Sequence, residues 1–446
     1  MKKRKNNIFF MSSFFNLLLI SACIIVVSVC SGCGGGGGGG GGTTPPPPNS
    51  STLFLYVNNP ETNNKIYTTN SINVTGQTSP GAVVTVNNLA ASLDSSGNFT
   101  YANLSIASNP FTITVKTTKD SSDYTVTRVV YYQNSSQCTL VYSATDPNTG
   151  YTRIYDTDPN IPNSSRCISD SVIGATDTQP ALNPSRNTVI FVRTLSGNQN
   201  LYSISCTGSG TECPAAGSAS QLTSTTGITY QSPSWSKSGS YIAYAASVLG
   251  DYDIYTVTSA GQNLTQITTH AAADISPTWS TGDSTIYFAS NRPTDGSGGT
   301  INYYHLWYVN VSPVGTPTLL TSEPTCPDGT GKCSLLSPDI SPNGYLVYQF
   351  ASSCGTGGGS GTPPVNPKST CNNLYYMTSY PSGVSSPATS GSNLFLSPHW
   401  RQSTTSNELV FVNRNNNTDA LYKITFTGTS PGTSAAMNLT GGTPDW

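Results

Sequence analysis

Charge is scarce in this chain. Of 446 residues only 9% are Asp, Glu, Lys or Arg, and the formal net charge is -2. Nucleic-acid binding requires stripes of Lys and Arg against phosphate, so that partner class is excluded. Histidine is limited to His270, His305 and His399. His399 falls in a repeating motif and is expected to be a loop residue, not a base. A glycosidase needs two facing carboxylates, and the repeated region offers few acids: Asp251, Asp253, Asp274, Asp283, Asp339 and Glu408. Asp253 belongs to the repeat itself, so a hydrogen-bonding role at a turn or strand edge is expected of it. One string matches a hydrolase elbow, Gly428-Thr429-Ser430-Pro431-Gly432. No helix pattern follows, and Pro431-Gly432 reads as a hairpin turn. Asp156-Thr157-Asp158-Pro159-Asn160 lacks the central Gly and closing Glu of a calcium loop, which favours an Asx-turn. The glycines Gly34 to Gly42 follow no strand and precede no Lys, so they are not a phosphate cradle. Catalytic, cofactor-binding and metal-ligating residues are therefore not expected, and the chain is expected not to be an enzyme.

What the chain does have is a repeat. Ser232-Pro233-Ser234-Trp235-Ser236-Lys237-Ser238-Gly239 is followed by the apolar run Tyr241 to Ala245, and Ser276-Pro277-Thr278-Trp279 by Ile286-Tyr287-Phe288-Ala289. This pattern predicts a Pro-marked turn, then a strand buried on both faces. Weaker copies begin at Gln179-Pro180, Ser337-Pro338 and Ser397-Pro398. Second strands carry pairs such as Leu201-Tyr202, Leu306-Trp307 and Leu421-Tyr422, and most units close on an aliphatic-Thr pair such as Leu222-Thr223 or Ile267-Thr268. The copies lie about 44 to about 61 residues apart, near the period of a four-stranded propeller blade. The chain ends on Gly442-Thr443-Pro444-Asp445-Trp446, the opening of another copy, while residues 139–155 read as a blade without its opening. A ring of about six blades whose C-terminal piece completes the first is the simplest solution, because closure removes the open sheet edges.

The Ser-Pro-x-Trp-Ser openings, Gly239, Gly282 and Asp253-Ile254-Tyr255 resemble the TolB-type six-bladed β-propeller repeat, a WD40-like pattern, over residues 138–446. The resemblance implies an all-β fold and a binding scaffold in a bacterial envelope.

The segments before the ring read separately. Residues 1–33 form a lipoprotein-type signal peptide: Lys2-Lys3-Arg4-Lys5, an apolar stretch, then Cys30-Ser31-Gly32-Cys33. The junction resembles a bacterial lipobox with lipidation at Cys33; lipidation at Cys23 and an uncleaved anchor stay open. Residues 34–51 are a Gly/Pro-rich tether. Residues 52–134 alternate apolar and polar over short runs (Ile72, Val74; Val84, Val86; Ile113, Val115) and resemble a small Ig-like β-sandwich without cysteine, expected to act as a spacer.

The remaining cysteines, Cys138, Cys167, Cys206, Cys213, Cys326, Cys333, Cys354 and Cys371, are expected to form disulfides, as in exported proteins. Sequence allows many pairings; the proposed set joins neighbours: Cys138–Cys167, Cys206–Cys213, Cys326–Cys333 and Cys354–Cys371. Zinc is disfavoured by the spacing. The expected protein is a monomer, lipid-anchored to a membrane of the bacterial envelope and facing the periplasm or cell surface. It would bind another envelope protein without catalysis; a cell-surface glycan, bound or processed, is the alternative.

Overall fold

The computed structural model describes residues 53–446 except 208–212, 248–250, 322–332, 353–372, 381–385, 390–393, 402–406, 416–417, 428, 441 and 446. The signal peptide with Cys33, the whole tether, and Cys326, Cys354 and Cys371 lie outside these residues, as does the Cys333 side chain. Every described element is a strand.

The first strands form a two-sheet sandwich. One sheet runs Leu55–Asn59, Ser71–Thr78, Asn98–Ser105, Ser92–Leu93; the other runs Lys65–Tyr67, Ser122–Tyr132, Phe111–Lys119, Val83–Val86, Leu89–Ala90. Alternation gives each strand one apolar face, and these faces meet: Val74, Val86, Ile113, Val115 and Val130 are wholly buried.

Six further sheets follow, each with an inner strand and three strands stepping outward in sequence order. The inner strands are Gly442–Asp445, Thr176–Leu182, Thr229–Trp235, Asp274–Trp279, Cys333–Ile340 and Leu394–Trp400 for blades one to six. Blade one is the composite expected from the chain ends: Gly442–Asp445 pairs with Leu140–Thr145, which continues through Thr152–Thr157 to Arg166–Cys167. The last blade carries an extra strand, Ala435–Thr440.

The Ser-Pro motif differs from its expected role. It lies within the inner strand, not in a turn before it. Gln231 pairs with Ala245 and Ser234 with Ala243, so Ser232 and Pro233 together oppose Tyr244 alone, which is a β-bulge. The same two-against-one register recurs at Gln179-Pro180, Ser276-Pro277, Ser337-Pro338 and Ser397-Pro398. The first residue of each bulge is left-handed, with φ of 51°, 51°, 53°, 47° and 47° for Gln179, Ser232, Ser276, Ser337 and Ser397. Proline fits because an inner strand pairs on one side only, and a bulge does not require its missing N–H. The turn comes next: Gly239 N–H donates to Ser236 O at 2.9 Å, with Gly239 at φ 74°.

A buried ring sits opposite each bulge. These are Tyr142, Phe191, Tyr244, Phe288, Tyr348 and Phe411. Each pairs across the ladder with an aromatic residue of the third strand: Tyr155, Tyr202, Tyr255, Trp307, Tyr375 and Tyr422. Such cross-strand aromatic pairs each contribute roughly 0.2–1 kcal/mol to a sheet. The aliphatic-Thr pair fastens the outer strand. Ile267 N–H donates to Ile254 O at 2.8 Å, and Thr268 Oγ1 accepts Ile254 N–H at 2.9 Å. Ile168-Ser169 and Ala388-Thr389, weaker matches to the pattern, make the same two bonds to Ile154 and Leu374.

The disulfides correct the neighbour pairing. Cys138 bonds Cys206 and Cys167 bonds Cys213, in place of Cys138–Cys167 and Cys206–Cys213. Cys206 and Cys213 lie between the third and fourth strands of blade two, whereas Cys138 and Cys167 belong to blade one. Both bridges therefore run between blades. Linear spacing favours loops within a blade, but the ring places one blade's outer connection against its neighbour.

The segment joining sandwich to propeller is held firmly. Arg166, buried, ion-pairs with Asp156 at 2.9 Å and donates to the carbonyls of Asn134, Ser135 and Gln137. Asp156 accepts the N–H groups of Thr139 and Leu140. Burial pushes the Asp156 carboxyl up, opposed by Arg166. Arg166→Leu would leave a buried carboxylate without its counter-ion, and denaturant unfolding is expected to show a loss of about 3–5 kcal/mol. Peptide mapping under non-reducing conditions is expected to recover Cys138 linked to Cys206 and Cys167 to Cys213; recovery of Cys138 with Cys167 would refute the cross-blade pairing.

Candidate functional site

The inner strands surround a cavity of about 530 Å³ on the propeller axis. The bulges turn Gln179, Ser232, Ser276, Ser337 and Ser397 into its wall. Most of the lining is therefore hydroxyl, amide and proline ring, as the scarcity of charge in the sequence would suggest.

The charged groups that reach the cavity are tied into the frame. Asp339 accepts Trp400 N–H at 2.7 Å, Ile340 N–H at 2.9 Å and Thr278 Oγ1–H at 3.0 Å, which links blades four, five and six. Asp445 accepts Leu182 N–H at 2.7 Å and so fixes the closing strand to blade two. Its other oxygen is 3.6 Å from His399 Nδ1. Lys237 Nζ donates to Ile340 O at 2.8 Å, from blade three to blade five. Arg414 makes a bidentate pair with Asp419 at 2.5 and 2.8 Å.

The acids singled out in the sequence do not gather at the cavity: Asp339 borders it, while Asp253 and Asp274 lie near each other, about the Thr268 hydroxyl, outside its lining. Asp251 is exposed beside blade three. Asp283 accepts the N–H groups of Lys237 and Ser238 at 2.6 and 2.8 Å, capping the neighbouring blade's turn. Asp274 is buried against Arg292 at 2.5 Å, and Glu408 pairs with Arg401 at 2.5 Å. Asp253 accepts Gln266 Nε2–H at 3.0 Å and Thr268 Oγ1–H at 3.2 Å, the strand-edge role expected of it. Burial, with the nearby Asp274 charge, raises its carboxyl to about 6.

Other readings divide. Thr427 pairs with Ser430 and Phe426 with Pro431, so Ser430-Pro431 of the elbow string is the return strand of a hairpin. Asp158 accepts Asn160 N–H at 2.9 Å, an Asx-turn, while Asp156 is committed to Arg166. Among the described residues no three His, Cys, Asp or Glu side chains are grouped to hold a metal ion. His399 is not a loop residue: it lies in the inner strand Leu394–Trp400 and lines the cavity. The bulge after Leu396 turns the motif into strand, which periodicity does not reveal. His305 is buried in a third strand beside Tyr303, and His270 accepts Ala272 N–H. Sequence reasoning missed the buried network in which Arg193 pairs with Asp170 at 2.6 Å and Asp177 at 2.7 Å. The available signal was an Asp two residues before the bulge, shared by Asp177 and Asp274.

Solved structures similar to this chain include TolB from Acinetobacter baumannii, with a TM-score of 0.52 and 13% identity over 82% of each chain. A protein assigned as TolB in Agrobacterium tumefaciens scores 0.44 at 17% identity, covering 62% of this chain and 86% of that one. A Mycobacterium tuberculosis puromycin-hydrolyzing peptidase scores 0.40 at 9% identity, covering 86% and 53%. No protein-family model and no curated protein matches the chain. The first likeness establishes the fold alone, a TolB-like six-bladed β-propeller; scores below 0.5 carry no argument.

Asp253 gives a pH prediction. Its folded pKa of about 6 exceeds the unfolded 3.8. Between these values the unfolded chain loses the proton first, so stability falls as pH rises through the window. Asp253→Asn is expected to raise the melting temperature above about pH 6 and to leave it nearly unchanged below about pH 3.8. Scanning calorimetry across that range checks it; an equal shift at both ends would contradict the raised pKa.

Proposed function

We propose that this protein is a membrane-anchored lipoprotein of the bacterial cell envelope whose propeller binds another envelope protein without catalysis. The observation that carries this reading is how the channel charges are used. Asp339 and Asp445 accept backbone N–H groups of adjoining blades, and Lys237 donates to a backbone carbonyl. General acid-base work needs a titratable group free to reach a substrate proton. These groups instead stiffen a frame suited to presenting loops and a channel mouth. Likeness to TolB supports the reading by analogy of fold. The basic, apolar leader ending at Cys33, the tether and an Ig-like spacer supply the anchoring half. We take the chain to be presented as a monomer from that anchor.

Crosslinking capture from native membranes tests the proposal. The full-length chain is expected to enrich one protein that survives digestion of the extract with polysaccharide-cleaving enzymes. That protein should be lost with a chain lacking residues 138–446. Recovery abolished by the digestion would replace protein recognition with glycan recognition.

A further inference from the structure

One polar group bordering the channel has no role in holding the frame among the described residues. Gln349 lies on the second strand of blade five, Leu346–Ser352, and borders the axial cavity. It is 7% exposed. Its side-chain amide makes no hydrogen bond among the described residues, unlike Gln179, whose Oε1 accepts Ser232 N–H at 2.5 Å. The ladder registers put Gln349 one residue beyond the ring opposite the bulge. Ser143, Val192, Ala245, Ala289 and Val412 hold that place in the other blades. Five blades thus fill it with a small or apolar residue, and one with an amide. Without a protein partner, this amide is open to hydrogen-bond a molecule in the channel.

We infer that the channel takes a small uncharged polyhydroxyl ligand, of mono- or disaccharide size, with the Gln349 amide as its anchoring contact. The inference goes beyond the protein-binding reading and does not rest on it. Several observations define the ligand class. The cavity, about 530 Å³, lies within the ~300–1,000 Å³ range of small-molecule sites. Lys237, Asp339, Asp445 and Arg414 already face protein partners, so a charged ligand finds little to pair with. A primary amide offers both donors and an acceptor, as a sugar hydroxyl requires, and the bulge serines add hydroxyls to the same wall. An extended peptide would bind by adding a strand to an inner edge. Here each edge is broken by a bulge, and proline removes the donor at that point.

Saturation-transfer NMR on the full-length protein in a zwitterionic detergent tests this with glucose, galactose, N-acetylglucosamine, maltose and a set of neutral tripeptides. At least one saccharide is expected to bind. Gln349→Leu, of similar volume, should weaken that binding about three- to tenfold, the worth of one neutral hydrogen bond. Three outcomes would overturn the inference: no saccharide binds, only the tripeptides bind, or saccharide binding is indifferent to Gln349→Leu. Failure of the membrane capture experiment would leave these readouts untouched, so the two readings can fail separately.

Discussion

Among the described residues each inner strand has one edge that no strand pairs, and the six edges face a common axis. That constraint organises the molecule. A regular edge of free N–H and C=O groups invites added strands and aggregation. Here each of the five complete blades interrupts its edge with a left-handed residue followed by proline. For serine or glutamine that backbone is unfavourable, and packing has to hold it. The large ring opposite each bulge, paired across the ladder with a third-strand aromatic, is the packing available at that place.

Blades are then joined through the few charges the chain possesses. Asp283 caps a neighbouring turn, Asp339 gathers three blades, and Asp445 locks the closing strand. Buried carboxylates are tolerated because each is met by N–H groups or a guanidinium. The same economy leaves Asp339 and Asp445, at the axis, holding backbone N–H groups of adjoining blades. Gln349 differs because its amide borders the channel without a protein partner among the described residues.

Much of the fold could be read from local pattern. Ser-Pro openings, apolar runs and aliphatic-Thr closures recur because every blade meets the same neighbours. The orphan opening at Gly442 identified ring closure, since nothing else could pair with Leu140–Thr145. Asp253 was legible for the same reason. His399 was not, because a bulge lets a turn-like sequence remain a strand. The cysteine pairing was not legible either, because Cys138 and Cys206 are 68 residues apart and meet only across a blade boundary.

The sequence by itself determined the all-β class, the repeat, its closure and the scarcity of charge. These follow from periodicity and composition, which act over a few residues at a time. Tertiary structure alone decided which cysteines bond, which acids become frame and which amide is left facing the channel. Those outcomes depend on distances between residues that belong to different blades, and a linear pattern carries no such distances.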